Sequence, residues 1–178
     1  MSRGRWRFSV CVAALCGFSA CGSATVQLDV LTQAQPSATR ERAMRRLSLA
    51  TAYYEQNQTA VAQQEVRAAL QIDPQFAEAY SLLGLIHQRD NAPKLAQQSF
   101  EQALKLASEP PVYPAELGAI QHNYGWFLCE QNQFVQAQAQ FANALSQPNY
   151  RYADKTTKAV ALCQQRASAQ GTASHRND

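Results

Sequence analysis

The sequence repeats itself with a period of 34 residues. Residues 43–76 align with residues 77–110, and the two frames abut without a gap. Small residues recur at equivalent positions, as Ala50 and Gly84, Ala62 and Ala96, and Ala69 and Ala103; large ones recur as Leu49 and Leu83, Tyr53 and His87, and Val66 and Phe100. A repeat of this length is one supersecondary unit that cannot bury its apolar face alone, so neighbouring units must stack. The period therefore predicts an array of stacked units.

Composition favours helix in each unit. Glycine and proline number only seven each among 178 residues, and the abundant alanine and glutamine lose little side-chain freedom in a helix. Turn residues at Asn57-Gln58 and Asp90-Asn91 divide each unit into two helices. Asp73-Pro74 closes the first unit, because a residue that precedes proline disfavours the helical conformation. Each unit is predicted to be a helical hairpin.

This pattern resembles the tetratricopeptide repeat, in which small residues let antiparallel helices approach closely. A third unit at residues 118–151 follows a seven-residue insertion at 111–117, and it matches through Tyr124, Gly125, Leu128, Phe134, Ala137, Phe141, Ala144 and Pro148. A partial unit at 152–167 is predicted to be a solvated cap with exposed Lys155, Lys158, Gln165 and Arg166. The resemblance implies an all-α tetratricopeptide-repeat superhelix, an α-solenoid of about three and a half hairpins over residues 38–167. Residues 168–178 are predicted to be a disordered tail.

The first 20 residues have the order of a bacterial export signal. A basic start, MSRGRWR, precedes FSVCVAALCGFSA, whose length of about 13 residues is short of the roughly 20 that span a membrane. Arg3, Arg5 and Arg7 account for the net charge of +3, since the 16 basic residues less these three leave 13 against 13 acidic ones. The rest of the chain is neutral and lacks a basic footprint, so we predict no nucleic-acid binding.

Phe18-Ser19-Ala20-Cys21 resembles the lipobox of bacterial lipoproteins. The resemblance implies a lipid on Cys21, a tether over residues 21–37, and placement in the outer membrane facing the periplasm, because Gly22 is not the aspartate that retains lipoproteins in the inner membrane. More than one acyl chain gives stable anchoring. The alternatives are cleavage of an ordinary secretory signal near Ala20 and an unmodified Cys21. No other cofactor is expected.

A partner-binding groove is expected on the first helices of the units. The tetratricopeptide resemblance places on this face Leu47, Thr51, Tyr54, Ser81, Leu85, Gln88, His122, Trp126 and Cys129. These residues are apolar, aromatic or neutral polar, so the groove lacks the lysine and arginine of a carboxylate clamp and should prefer an apolar partner segment. Burial of Leu47, Leu85 and Trp126 between helices is the alternative.

The sequence predicts no catalytic or metal site, because it lacks CxxC, HExxH and glycine-rich phosphate motifs. His122 and Cys129 are separated by seven residues, about 10 Å along a helix, which is too far for proton transfer. His87 is expected in the core and His175 in a polar tail. Cys129 and Cys163 stand one period apart, and an exported chain meets an oxidising compartment. A disulfide is predicted if their side chains face each other; two free thiols are the alternative.

The stretch NYGWFLC at residues 123–129 resembles the PilF/PilW lipoproteins of type IV pilus biogenesis. The likeness continues through Phe134, Ala137, Phe141, Ala144, Leu145, Pro148 and Tyr150 to Cys163. It implies an outer-membrane pilotin that binds the pilus secretin in its groove and assists localisation or multimerisation of the secretin. Members of the family usually have about six repeats, so only contacts made by the first repeats are expected in this chain. The alternatives are a lipid-anchored periplasmic scaffold for another envelope assembly machine and an enzyme regulator bound through residues 111–117.

Overall fold

A computed structural model describes the backbone of residues 23–174 and the side chains of residues 38–170. The predicted signal peptide, Cys21 and His175 lie outside the described residues. The chain divides into two units, residues 1–36 and residues 37–178, and the second contains the repeats. The described part has no strand, and its seven helices are α1 (Ser23–Glu55), α2 (Thr59–Ile72), α3 (Ala77–Arg89), α4 (Pro93–Ala107), α5 (Pro114–Glu130), α6 (Phe134–Leu145) and α7 (Ala153–Ser174). The predicted all-α architecture is confirmed.

The turns inside the three hairpins share one conformation. Asn57, Asn91 and Asn132 each have a positive φ, between 54° and 62°. Each donates its backbone N–H to the carbonyl three residues earlier, on Tyr54, Gln88 and Cys129 respectively. Asparagine tolerates this left-handed conformation better than other residues that carry a side chain, apart from aspartate, because its short amide bonds locally. The three turns fall where the period predicts the helix breaks.

Aromatic rings packed against glycines hold the second and third hairpins together. A Cβ atom added to Gly84 would lie 2.8 Å from the Phe100 ring, and one added to Gly125 would lie 2.8 Å from the Phe141 ring. Both rings are fully buried. The first unit has Ala50 and Val66 at the equivalent positions, where a smaller partner leaves room for a methyl group. The pairing of a small and a large residue in the repeat pattern thus sets the distance between helices.

Two larger core clusters run through the stack. One joins α1, α2 and α3 through Ala43, Ala50, Ala62, Val66, Ala69, Phe76, Ala79, Leu82 and Ile86. The other joins α4, α5, α6 and α7 through Ala96, Phe100, Tyr124, Phe127, Leu128, Cys129, Ala137, Phe141, Ala159 and Cys163. Half-buried Leu85 packs against both clusters. Each hairpin therefore buries its apolar face against the next, as stacking requires.

The structure differs from the sequence prediction at both ends of the array and at the insertion. Residues 23–37, predicted to be a tether, are helical within α1, and α7 continues through the predicted disordered tail to Ser174. Alanine, glutamine and leucine in residues 23–37 favour helix, as do alanine and glutamine in residues 168–174. The insertion contributes its second half to α5, with Pro114 in the first turn, where the missing N–H of proline is tolerated.

A pair of carboxyl groups at the starts of α3 and α5 makes stability depend on pH. Burial, and then the neighbouring carboxyl of Glu116, raise the pKa of Glu78 from 4.5 to about 7, although Arg40 lies 3.6 Å away. Because the folded value is the higher one, this group stabilises the fold fully below pH 4.5, and the contribution is lost as the pH rises through 7. Glu78→Gln should remove that loss, which urea unfolding at pH 4.5, 6 and 7.5 will measure.

His122 makes stability change with pH in the direction opposite to that of Glu78. The contribution of Glu78 is therefore isolated by comparing Glu78→Gln with the wild type. The pKa of His122 is lowered from 6.5 to about 4, so its contribution to stability is lost as the pH falls below 6.5. Exposed Glu109, replaced by glutamine, is the control and should keep the wild-type pH profile. Equal pH profiles for Glu78→Gln and the wild type would contradict the assignment to Glu78.

Candidate functional site

The first helices of the hairpins, together with α7, form one continuous groove. Three cavities of about 420, 400 and 310 Å³ adjoin along it, and Tyr54 and Leu85 line all three. Trp126 lines the largest and the smallest of them. We call this surface the groove and the 420 Å³ cavity its central cavity. A groove of this size fits side chains of a bound polypeptide segment.

The floor of the central cavity is apolar. Tyr54, Leu85 and Trp126 are half-buried, and Leu162 on α7 is 51% exposed. Leu85 and Trp126 also pack against the core cluster of α4 to α7. Each of these two side chains therefore has one side against the core and the other in the groove. Both interpretations that the sequence left open, burial between helices and a place in the groove, apply to them.

One end of the groove is polar and internally paired. The Arg89 guanidinium lies 3.6 Å from the centroid of the Tyr54 ring and donates to the Tyr54 carbonyl. Gln88 donates through Nε2 to the carboxylate of Glu130. These contacts link α1 to α3 and α3 to α5, and burial raises the pKa of the Tyr54 phenol against the opposing charge of Arg89. The pairs fix the width of the groove at this end.

His122 anchors α7 to α5. Its Nδ1 lies 2.9 Å from Oγ1 of Thr156, which lies 2.9 Å from the hydroxyl of Tyr150. All three residues are buried. Burial, followed by the charge of Lys155, lowers the pKa of His122 to about 4, so the imidazole is neutral at pH 7. It serves here as a partner in a buried hydrogen-bond network, which holds the wall of the groove.

A disulfide fastens the same two helices. Cys129 on α5 and Cys163 on α7 are joined, with their α-carbons 5.8 Å apart. Both residues are buried in the core cluster. The cysteine predicted to face the groove is thus turned into the core and holds α7 in place.

The structure brings together six of the predicted groove residues: Thr51, Tyr54, Leu85, Gln88, His122 and Trp126. Leu47 packs instead against the core of the first hairpin. Ser81 is buried, and its hydroxyl accepts a hydrogen bond from Asn123. The general positions of a repeat therefore describe the groove well in its middle and less well at the side where Leu47 and Ser81 lie.

Sequence reasoning missed the contribution of α7. Lys155 and Lys158, predicted to be part of a solvated cap, line the central cavity together with Ala159 and Leu162. The expectation of a groove without lysine is therefore wrong. The sequence contains a signal for this contribution, because residues 155, 158, 159 and 162 have the i, i+3, i+4, i+7 spacing that places them on one helix face.

The described part of the chain lacks two features. Among these residues no cluster of three or more histidine, cysteine, aspartate or glutamate side chains could hold a metal ion. Over the same residues, none of the helices combines the length and apolar character that crossing a membrane requires.

Family models for the tetratricopeptide repeat match the first two units. One, described as a TPR repeat, matches residues 50–91, and a second, described as a tetratricopeptide repeat, matches residues 77–110. The N-terminal domain of stress-induced protein-1 from C. elegans, 19% identical, superimposes with a TM-score of 0.55 over 71% of this chain and 98% of that one. This last similarity supports the fold.

Two relatives match the chain by sequence. An uncharacterized protein of Haemophilus influenzae is 33% identical over 118 residues, which are 66% of this chain and 62% of that protein. The type IV pilus assembly protein PilF of Pseudomonas aeruginosa is 32% identical over 91 residues, 51% of this chain and 33% of PilF. The chain thus spans about three fifths of the first relative and one third of the second.

Solved structures agree with these matches. The chain superimposes on Pseudomonas aeruginosa PilF with a TM-score of 0.63 and 28% identity, covering 74% of this chain and 57% of that one. It superimposes on PilW, described as a widely conserved type IV pilus biogenesis factor, with a TM-score of 0.61 and 27% identity, covering 73% and 55%. The chain contains tetratricopeptide repeats, is homologous to PilF, and is similar in structure to both PilF and PilW.

Proposed function

We propose that the chain acts in type IV pilus biogenesis as an outer-membrane lipoprotein, a pilotin that binds the pilus secretin in its groove. Binding would assist localisation or multimerisation of the secretin. The observation that carries the proposal is the combined similarity to pilus biogenesis factors, which covers 51% of this chain in sequence and 73–74% of it in structure. Tetratricopeptide-repeat proteins generally bind other proteins and are generally not enzymes, so the proposed activity is binding.

The lipid anchor is part of the same proposal. The lipobox-like sequence that ends at Cys21 supports acylation there, and acylation would hold the groove at the periplasmic face of the outer membrane. Cys21→Ser should abolish incorporation of labelled palmitate and release the chain from the membrane fraction. Unchanged fractionation of this variant would remove the anchor from the proposal.

Among the residues of the groove, Trp126 should contribute most to the free energy of binding the partner. Large aromatic side chains at the centre of an interface commonly cost 2 kcal/mol or more when truncated, which is about thirtyfold in affinity. Trp126→Ala should therefore weaken capture of the secretin from solubilised envelopes by about thirtyfold or more. The measurement is a titration of the purified chain against the secretin, scored by immunoblot. Far-UV circular dichroism checks that the variant keeps its helices.

Val135→Ala is the matched control, because Val135 is 81% exposed on α6 and lies outside the lining of the three cavities. It should bind as the wild type does. Absence of the secretin from wild-type captures, together with normal secretin multimers in cells that lack the chain, would overturn the proposed function. A different envelope protein captured through Trp126 would instead favour a scaffold for another assembly machine.

A further inference from the structure

Two lysines give the central cavity of the groove a positive wall. Lys155 and Lys158 stand one turn apart on α7 and line this cavity with Leu85, Trp126 and Leu162. Both lysines are exposed. An ammonium group on a flexible stem can turn toward a bound ligand while its methylene groups cover apolar surface. The cavity therefore combines an apolar floor with two adjustable positive charges.

Within the described part of the chain, neither Lys155 nor Lys158 forms an ion pair with a carboxylate. The ion pairs of this part join Arg40 to Asp73 and Glu78, and Arg46 to Glu65, and all three lie away from the groove. The lining of the central cavity contains no aspartate or glutamate. Glu130 lines the neighbouring 310 Å³ cavity, which shares Tyr54, Leu85 and Trp126 with the central cavity, and its carboxylate accepts a hydrogen bond from Gln88. Glu55 lines the neighbouring 400 Å³ cavity with Lys155 but forms no ion pair with it. The positive wall is free to meet a negative ligand.

We propose that the groove binds an internal acidic segment of its protein partner, with a large apolar side chain in the central cavity and aspartate or glutamate side chains against Lys155 and Lys158. The proposal rests on the function proposed above, that the groove holds a protein. The occupant is an internal segment because the groove continues on both sides of the central cavity.

The shape and polarity of the groove favour a polypeptide over a lipid surface. Its lining includes the amide of Asn123 and the hydroxyl of Thr51, each of which makes one hydrogen bond within the chain and keeps further hydrogen-bonding capacity for a peptide backbone. Membrane surfaces are met by exposed basic and apolar faces that insert into the headgroup layer. In the central cavity Tyr54, Leu85 and Trp126 are half-buried, and Leu162 is the only exposed apolar side chain of the lining, so the apolar surface here is mainly that of a cavity and not an extended exposed face.

The test uses a library of random 12-residue peptides displayed on phage and panned on the purified full chain. Wild type should enrich peptides in which an aromatic or aliphatic residue is flanked by aspartate or glutamate. The double variant Lys155→Glu/Lys158→Glu should lose at least tenfold affinity for the best acidic peptide, measured by fluorescence anisotropy. Panning the same phage library on this double variant should enrich basic peptides. The matched control is Lys94→Glu/Lys105→Glu, which changes two exposed lysines of α4 outside the groove and makes the same change in net charge.

Three results of the peptide experiments would overturn the proposal. They are enrichment of neutral or basic peptides by the wild type, no enrichment above background, and equal affinity losses for the two double variants. Binding to vesicles of anionic phospholipid that depends on Lys155 and Lys158, without any selected peptide, would also overturn it in favour of a membrane surface. Failure to capture the pilus secretin while acidic peptides bind would reject the proposed pilotin role and leave the recognition rule standing.

Discussion

Replacing Phe100 with alanine should lower the free energy of unfolding by about 3–5 kcal/mol. The Phe100 ring is fully buried on α4, with its centroid 5.5 Å from the rings of both Tyr124 and Phe127 on α5. It also fills the space above Gly84, which has no side chain to close the cavity that alanine would leave. The loss is a large share of the roughly 5–15 kcal/mol that stabilises a typical domain. Urea unfolding followed by far-UV circular dichroism measures it.

Leu95→Ala is the control for Phe100→Ala, because Leu95 lies on the same helix and is 49% exposed. It should change stability by about 0.5 kcal/mol or less. Phe100→Leu should fall between the wild type and Phe100→Ala, since leucine refills part of the cavity. A Phe100→Ala protein as stable as Leu95→Ala would show that the junction between the second and third hairpins does not depend on this ring.

Reducing the disulfide should lower the free energy of unfolding by about 3–4 kcal/mol on the chain-entropy account, given the number of residues in its loop. Cys129 and Cys163 are 34 residues apart and connect α5 to α7. Without the bond, α7 is held on α5 and α6 by its packing and by the hydrogen bonds around Thr156. Urea unfolding with and without a thiol reductant gives the difference.

The variant Cys129→Ala/Cys163→Ala is the control, and its unfolding should not respond to the reductant. Hydrogen exchange should show faster opening of α7 in the reduced protein than of α3, because α7 is the helix that the bond restrains. Equal urea midpoints for the oxidised and reduced wild type would refute the predicted stabilisation. Since α7 carries Lys155 and Lys158, reduction should also weaken the binding of acidic peptides.

Much of the fold was predictable because the repeat is a local pattern. Gly84 and Phe100 are 16 residues apart, and the pairing of a small residue with a ring inside one hairpin follows from their spacing. The turns at Asn57 and Asn91 were equally predictable from the sequence, since asparagine tolerates the left-handed conformation that they require. The helical state of residues 23–37 is not predictable from the sequence pattern, because Pro36 and the shortage of core-forming residues indicate a tether.

The groove was predictable in part. Leu85 and Trp126 occupy the same position in the second and third units, and Tyr54 lies one helical turn beyond that position in the first unit, so the period places all three on one surface. Lys155 and Lys158 were assigned to solvent because α7 was interpreted as a cap with a free face. Whether that face looks outward or across the groove depends on how α7 is held by Cys163 and Thr156, and both contacts reach back to α5.

The sequence by itself determined the repeat, its helical hairpins and the residues that stack them, because these depend on spacings within about one 34-residue unit. The same is true of the apolar middle of the groove. Only the tertiary structure decided that α7 forms a positively charged wall of the groove, and that His122 and Cys129 hold this wall from α5. The reason is physical: the contacts that hold α7 join residues one period apart, but spacing alone does not say which way their side chains point, and that direction decides whether the exposed face of α7 borders the groove.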